Sequence, residues 1–290
     1  MADVFTKNRR LLFSVAYRLT GSVADAEDIV QDAWLRWSAT DADTVRTPVP
    51  YLVKTVTNLA LNELTSARAR RETYIGPWLP EPLMTAAPDV AEEVEMAESV
   101  SLAMLVVLES LSPLERAVFV LGDVFGYRHA EIAEMIDRDP SAVRQLAHRA
   151  RAHVQARRPR YETDAETRTD VVERFLAACA SGNVADVMAV LAPDVTAWSD
   201  GGGKVTAARR PVSGPDNVAR WLLGVLAKPN TQGMETEIVS INGEAAVLGR
   251  FAGVVAGSLH FEIEDGRIVA LRMILNPDKL RGLQRDLPSD

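Results

Sequence analysis

A single cysteine, Cys179, stands among 290 residues, so no internal disulfide can close. It falls in an apolar helical pattern with Val171, Val172, Phe175 and Leu176, which reads as a buried structural thiol in a reducing compartment. Met1 to Arg10 lacks the apolar run of a signal peptide, and no stretch reaches the roughly 18 apolar residues of a membrane span. A soluble, cytoplasmic protein without a membrane partner is expected. Metal-ligand spacing is missing too: His148 and His153 are five apart, off a common helix face, and no acid or cysteine completes a site. Cationic excess is absent, with 32 Lys plus Arg against 40 Asp plus Glu and a net charge of −8. On average this argues against a wholly basic nucleic-acid binder. What is present, 47% hydrophobic and 25% charged residues, suffices for two or three modest domains.

The charge is segregated. Residues 73 to 112 carry 7 acids and no base, whereas Pro140 to Arg160 carries six arginines and no carboxylate. That second stretch is a compact cationic field on which a polyanion can dock. Asp25 to Asp43 holds six acids against Arg36, and Arg46 to Arg71 holds five bases against Glu63. One short domain therefore has an acidic and a basic end, implying two different partners.

Up to about Arg160 the apolar spacing is helical. After about Glu166 two helical patterns, Val171 to Ala180 and Val184 to Leu191, precede β-type stretches around Val195 to Ser199 and Lys204 to Ala208. A third helix opens at Pro215. From Glu235 onward the strands are separated by Asn242-Gly243 and Asp265-Gly266, which are two-residue hairpin signals. The expectation is an α+β domain with a curved antiparallel sheet. Between the helical blocks, Pro77, Pro80, Pro82 and Pro88 predict an extended linker. Its Tyr74, Ile75, Trp78 and Leu79 form an apolar stripe that reads as a segment docking on another part of the chain or a partner, with a merely packed loop as the alternative.

Arg128 to Ala152 reads as two helices joined by a short turn, the arrangement of a DNA-reading helix pair. Asp139 is placed to N-cap the second helix, with Pro140 at its first position. Its apolar face is Val143, Leu146, Ala147, Ala150 and Val154. The opposite face presents Ser141, Arg144, Gln145, His148, Arg149 and Arg151, residue types suited to base edges and phosphates.

Three ordered motifs, DAEDIVQDAWLRW (Asp25 to Trp37), PYLVKTVTNLALNEL (Pro50 to Leu64) and SPLERAVFVLGDVFGYRHAEIAEMI (Ser112 to Ile136), resemble regions two and four of an extracytoplasmic-function sigma factor. About Glu166 to Pro277 resembles a SnoaL-like cone, and WLPEP, DGGGK (Asp200 to Lys204) and NPDKL (Asn276 to Leu280) match the SigJ-like group that carries that fused domain. The resemblance implies a multidomain chain of two all-α domains followed by an α+β SnoaL-like cone. The expected divisions are region two at 1–72, a Pro-rich linker at 73–91, region four with its helix-turn-helix at 92–160, the cone at 166–278 and a tail at 279–290. It also implies core RNA polymerase and promoter DNA as partners, with no cofactor. Asp25, Asp28, Asp32 and Leu35 would meet the polymerase, an acidic rim giving steering and register against a basic partner. Lys54, Asn58, Asn62, Arg68, Arg70 and Arg71 would face the minus-ten element, where amides read unstacked bases and cations hold phosphates. The sequence departs from the family at Asn62 and Thr65, where Asp and Arg are more usual. The helix-turn-helix face would read the minus-thirty-five element.

For the third domain, the chemistry of SnoaL-like isomerases and cyclases calls for a carboxylate and a histidine or tyrosine converging in an apolar pocket. Asp194, Asp200 and His260 are the candidates, with Trp198 and Trp221 as walls. Asp200 adjoins three glycines, which reads as a flexible loop that would hold a base poorly, and His260 in SLHFEI reads as a packed strand residue. No catalytic residue is therefore expected, and a fused enzyme or a one-component repressor stands as the alternative. The expected role is regulation in cis through Trp78, Leu79, Pro80, Asp200, Gly201, Gly202, Gly203, Lys204, Asn276, Pro277 and Asp278, in a two-state contact that a small-molecule ligand of unstated identity, or polymerase, could shift.

Overall fold

The computed structural model describes residues 2–41, 45–85, 100–157 and 163–285. The expected linker end at 91 and region-four boundaries at 92 and 160 lie outside the described residues, as do Pro88, Arg158, Arg160 and the tail beyond 285. The chain divides into two compact units, Met1–Thr73 with Met104–Arg158, and Tyr74–Ala103 with Pro159–Asp290.

The first unit is helical. Helices α1 (Ala2–Thr20), α2 (Val23–Ser38) and α3 (Pro48–Glu72) pack mutually around Leu12, Val15, Ile29, Trp37, Leu52 and Val56. Ser22 starts α2 by accepting the Asp25 backbone N–H, and Ala26, Ile29, Val30, Ala33 and Trp37 fall on its buried stripe. Helix α4 (Leu102–Glu109) leads to α5 (Pro113–Phe119), which opens on a capping box between Ser112 and Glu115 and runs into a π-helical turn, Val120–Val124. Helix α6 (His129–Ile136) stops at Asp137, whose φ of 52° is left-handed. Helix α7 (Pro140–Gln155) follows with its expected apolar face buried. The proline explains its start, because Asp139 sits at the N-cap position without a side-chain bond, contrary to the expected cap. Polar contacts tie the blocks together. Buried Arg116 of α5 donates to the Leu19 carbonyl at 2.7 Å and pairs with Glu109 at 2.6 Å, while Asn58 of α3 donates to the Met135 carbonyl at 3.1 Å.

The second unit packs α8 (Ala165–Ser181), α9 (Val184–Val190) and α10 (Pro215–Leu226) on a six-stranded sheet. Its strands are β1 (Leu191–Asp200), β2 (Val212–Ser213), β3 (Glu235–Ile241), β4 (Glu244–Phe251), β5 (Val254–Glu264) and β6 (Arg267–Ile274), in the order β2-β1-β6-β5-β4-β3. Phe175, Leu222, Val247, Phe261 and Leu271 fill the space between helices and sheet. The sheet is mixed rather than wholly antiparallel, because β1 runs parallel to β6; the long connection through α10 and the β3–β5 meander permits what a tight hairpin forbids. Lys204 to Ala208 is not a strand. The glycines before it fold the chain back, so that the Lys204 and Val205 N–H groups bond to the Gly201 carbonyl, and β1 pairs instead with Val212 and Ser213. Asn242-Gly243 and Asp265-Gly266 are left-handed hairpin turns as their sequences suggest. A third, Ala252-Gly253, has φ values of 50° and 77° with an alanine where asparagine or aspartate is usual. Cys179 is half-buried, and burial pushes its thiol pKa up to about 11.

Candidate functional sites

The outer face of α2 is acidic with an apolar edge. Asp28 and Asp32 are exposed, Asp25 is half-buried, and Leu35 is 57% exposed although it is large and apolar. An exposed leucine flanked by carboxylates on a well-packed helix suits a basic partner with an apolar notch. On α3, Lys54 and Asn62 are exposed, while Asn58 is half-buried through its bond to Met135. Arg68, Arg70 and Arg71 continue the same helix, and their side chains lie outside those described.

Helix α7 exposes Ser141, Arg144, Gln145, His148, Arg149 and Arg151. These cations are not equivalent. Arg149 pairs with Glu115 at 2.8 Å and Arg151 with Asp123 at 2.6 Å, whereas Arg144 has no ion pair among the described residues. The Ser112 hydroxyl, followed by Arg149, holds the Glu115 carboxyl below its usual range.

A third cluster lies wholly in the second unit. Asp200 ends β1 with 0% exposure, and four donors converge on it: the Tyr74 hydroxyl at 2.6 Å, the Leu79 backbone N–H at 2.8 Å, the Lys279 ammonium at 2.8 Å and the Gly202 N–H at 3.1 Å. The expectation that Asp200 sits on a loose loop is therefore corrected. The strand fixes its backbone, which accepts from the N–H groups of Leu275 and Asn276 at 2.8 and 2.9 Å, and the donors saturate its side chain. Asn276 donates to the Tyr74 hydroxyl at 2.9 Å and starts the turn Pro277–Leu280 by accepting from Asp278 N–H. Lys279 also donates to the Leu79 carbonyl and stands 4.1 Å over the Trp78 ring. Lys204 pairs with Asp278, whose carboxyl it holds below the usual range. Burial, then the bond to Asp200, raises the Tyr74 pKa well above its ordinary value.

Space at the loop is scarce. A Cβ on Gly202, where φ is 60°, would lie 2.3 Å from Asn276 Nδ2, and one on Gly203 would lie 2.8 Å from Ile75. Only glycine lets the loop approach its neighbours this closely. Farther on, Met84 bridges Ile241 of β3, Thr85 N–H donates to the Ser240 carbonyl at 3.0 Å, and Asn242 N–H donates to the Leu83 carbonyl at 2.8 Å. Residues 74–85 are thus fastened at the ends of β1 and β6 and again at the β3–β4 turn, with Leu79 and Pro80 buried.

The groups weighed for catalysis do not converge. Asp194 is exposed, and Asp200 is engaged by the cluster just described. His260 is buried with Nε2 3.0 Å from the Ser258 hydroxyl, and burial, aided by the Arg272 charge, lowers its pKa to about 3. Trp198 lies under the Arg272 guanidinium, across the sheet from the helix-side core on which Trp221 packs. Among the described residues, no group of His, Cys, Asp and Glu is placed to hold a metal, and no helix is long and apolar enough to cross a membrane.

Residues 4–70 match Sigma-70 region 2, residues 101–154 match Sigma-70 region 4, and residues 172–271 match the SnoaL-like domain. The ECF RNA polymerase sigma factor SigJ of Mycobacterium tuberculosis H37Rv is 42% identical over 96% of this chain and 92% of its own length. The chain belongs to the ECF RNA polymerase sigma factors. The probable ECF sigma factor SigI of the same species is 31% identical over 97% of this chain and 94% of its own. A crystal structure of M. tuberculosis SigJ matches this sigma factor at a TM-score of 0.77 and 38% identity, over 97% of this chain and 99% of that one.

In this sigma factor the acidic face of α2 lies in region two, α7 in region four, and the Asp200 cluster joins the linker to the SnoaL-like domain. Sequence reasoning named Asp200 and Asn276 but missed Tyr74 and Lys279 as polar partners. Tyr74 counted as part of an apolar stripe, and Lys279 as one letter of a motif. Nothing local marks Lys279, which follows Asp278 in the short turn Pro277–Leu280, as buried; only the fold supplies Asp200 as its buried counter-charge.

Proposed function

We propose that this sigma factor binds core RNA polymerase in the cytoplasm and directs promoter-specific initiation, and that its SnoaL-like domain regulates this in cis rather than acting as an enzyme. Asp25, Asp28, Asp32 and Leu35 meet the polymerase. Lys54, Asn58, Asn62, Arg68, Arg70 and Arg71 serve the minus-ten element, and Ser141, Arg144, Gln145, His148, Arg149 and Arg151 the minus-thirty-five element. Trp78, Leu79, Pro80, Asp200 to Lys204 and Asn276 to Asp278 make the regulatory contact. The single observation that carries the regulatory part is the buried Asp200 carboxylate, whose donors Tyr74 and Leu79 come from the linker that connects the two promoter-reading regions. A catalytic reading finds no support in a sealed, neutral His260 and a saturated Asp200.

Run-off transcription with bacterial core polymerase tests both parts. Charge reversal at Asp28 and Asp32 should abolish association with core enzyme while leaving the fold intact. Asp200→Ala, which frees the linker, should change promoter-dependent output several-fold at equal protein and polymerase concentrations. If the unsubstituted protein does not associate with core enzyme, the proposal is wrong; if Asp200→Ala frees the linker and transcription is unchanged, the regulatory part alone is wrong.

A further inference from the structure

Beside the Asp200 cluster is a cleft of about 360 Å³. One wall is the linker, at Ile75 and Gly76; the other is the strand end and loop, from Ser199 to Arg209. The volume is that of a small-molecule site. Two features give it a chemical character. No carboxylate is among its lining residues, whereas Lys204 and Arg209 are, and Arg209 has no ion pair among the described residues. Lys204 is already committed to Asp278, so Arg209 supplies the unspent charge. At the floor, Ser199 is 1% exposed and its hydroxyl has no hydrogen-bond partner. A buried hydroxyl left without a partner is uncommon and calls for a reason. Thr206 adds a second hydroxyl to the lining.

We propose that this cleft binds a small anion, a metabolite bearing a carboxylate or a phosphate, held by the Arg209 guanidinium with the Ser199 and Thr206 hydroxyls as further partners. The guanidinium fork matches both groups in two-pronged geometry, and a bound oxygen would give Ser199 the partner it lacks. Because one wall is the linker and the other is the glycine loop, an occupant touches both and favours the docked linker over the released one. A ligand shifts such an equilibrium only by its differential affinity, and contact with both walls supplies that difference. This consequence rests on the cis-regulatory reading above; the binding itself does not.

The test uses the full chain, with inorganic phosphate and succinate as separate probes, following the amide NMR shifts of residues 199–209. At least one probe should produce a saturable shift with a dissociation constant on the order of 1 mM. Which of the two saturates assigns the site to phosphates or to carboxylates. Arg209→Gln should weaken that binding roughly tenfold or more. Ser199→Ala should weaken it too while leaving the melting temperature equal or higher, since it removes an unpaired hydroxyl; lower affinity through misfolding would instead lower the melting temperature. No saturation with either probe, or saturation indifferent to both substitutions, overturns the site. Hydrogen exchange at residues 74–85 reads the second claim separately. Slower exchange at saturating probe supports the coupling to the linker, and unchanged exchange despite Arg209-dependent binding overturns the coupling but not the site.

Discussion

His260 is held neutral by burial, its pKa lowered from 6.5 to about 3. The unfolded chain binds a proton that the folded chain refuses, so the stabilisation is complete above pH 6.5 and is lost as the pH falls from there toward 3. The loss should approach about 1.4 kcal/mol for each pH unit within that window. Denaturant titrations of His260→Gln should show a shallower acid limb than the parent, and identical limbs would assign the acid sensitivity to other groups. Tyr74 works by a different mechanism, since its hydroxyl both donates to Asp200 and accepts from Asn276. Tyr74→Phe removes one donor from a buried carboxylate and should cost about 1–3 kcal/mol. Its effect should localise to faster hydrogen exchange at residues 74–85, leaving α1 to α3 unchanged.

At the scale of elements, the glycine loop and α7 make opposite demands on sequence. Gly202→Ala puts a side chain into a left-handed position already crowded by Asn276. A cost of about 1–3 kcal/mol is expected from backbone strain alone, read as a lowered melting temperature and a linker exposed to protease. On α7 the cations differ by their partners. Arg144→Ala should weaken promoter-duplex binding by about 1–3 kcal/mol. Arg149→Ala should weaken it less and also destabilise the helix pair, because Arg149 is bound to Glu115. Duplex titrations of both variants at two salt concentrations separate these outcomes. Element types were legible where local chemistry decides them. Pro140 starts α7, and Asn242-Gly243 and Asp265-Gly266 turn the strands, because each fits its backbone irrespective of surroundings. Ala252-Gly253 escaped notice because alanine has no local preference for φ of 50°; the pairing of β4 with β5 imposes it. The strand expected at Lys204 to Ala208 failed for a related reason, since its alternation is outweighed by the glycine turn before it.

Across the whole molecule, regions two and four belong to one compact unit, and Asn58, proposed for the minus-ten element, is occupied by the Met135 carbonyl of region four. For Asn58 to serve the minus-ten element as proposed, its bond to region four must break. Fluorescence energy transfer between dyes on region two and region four should therefore fall when core polymerase and promoter are added, and unchanged transfer would mean that promoter reading proceeds from the closed arrangement. The sequence by itself determined the order of domains, the helix-turn-helix with its apolar stripe, and the segregation of acidic and basic faces, because periodicity, caps and charge runs are local properties of the chain. The tertiary structure alone decided that β1 runs parallel to β6, that Asp200 is a saturated junction rather than a loose loop residue, and that Tyr74 and Lys279 converge on it. Those outcomes depend on groups 74 to 126 residues apart becoming neighbours, and burial and pairing at that separation are set by packing, to which neither spacing nor composition gives access.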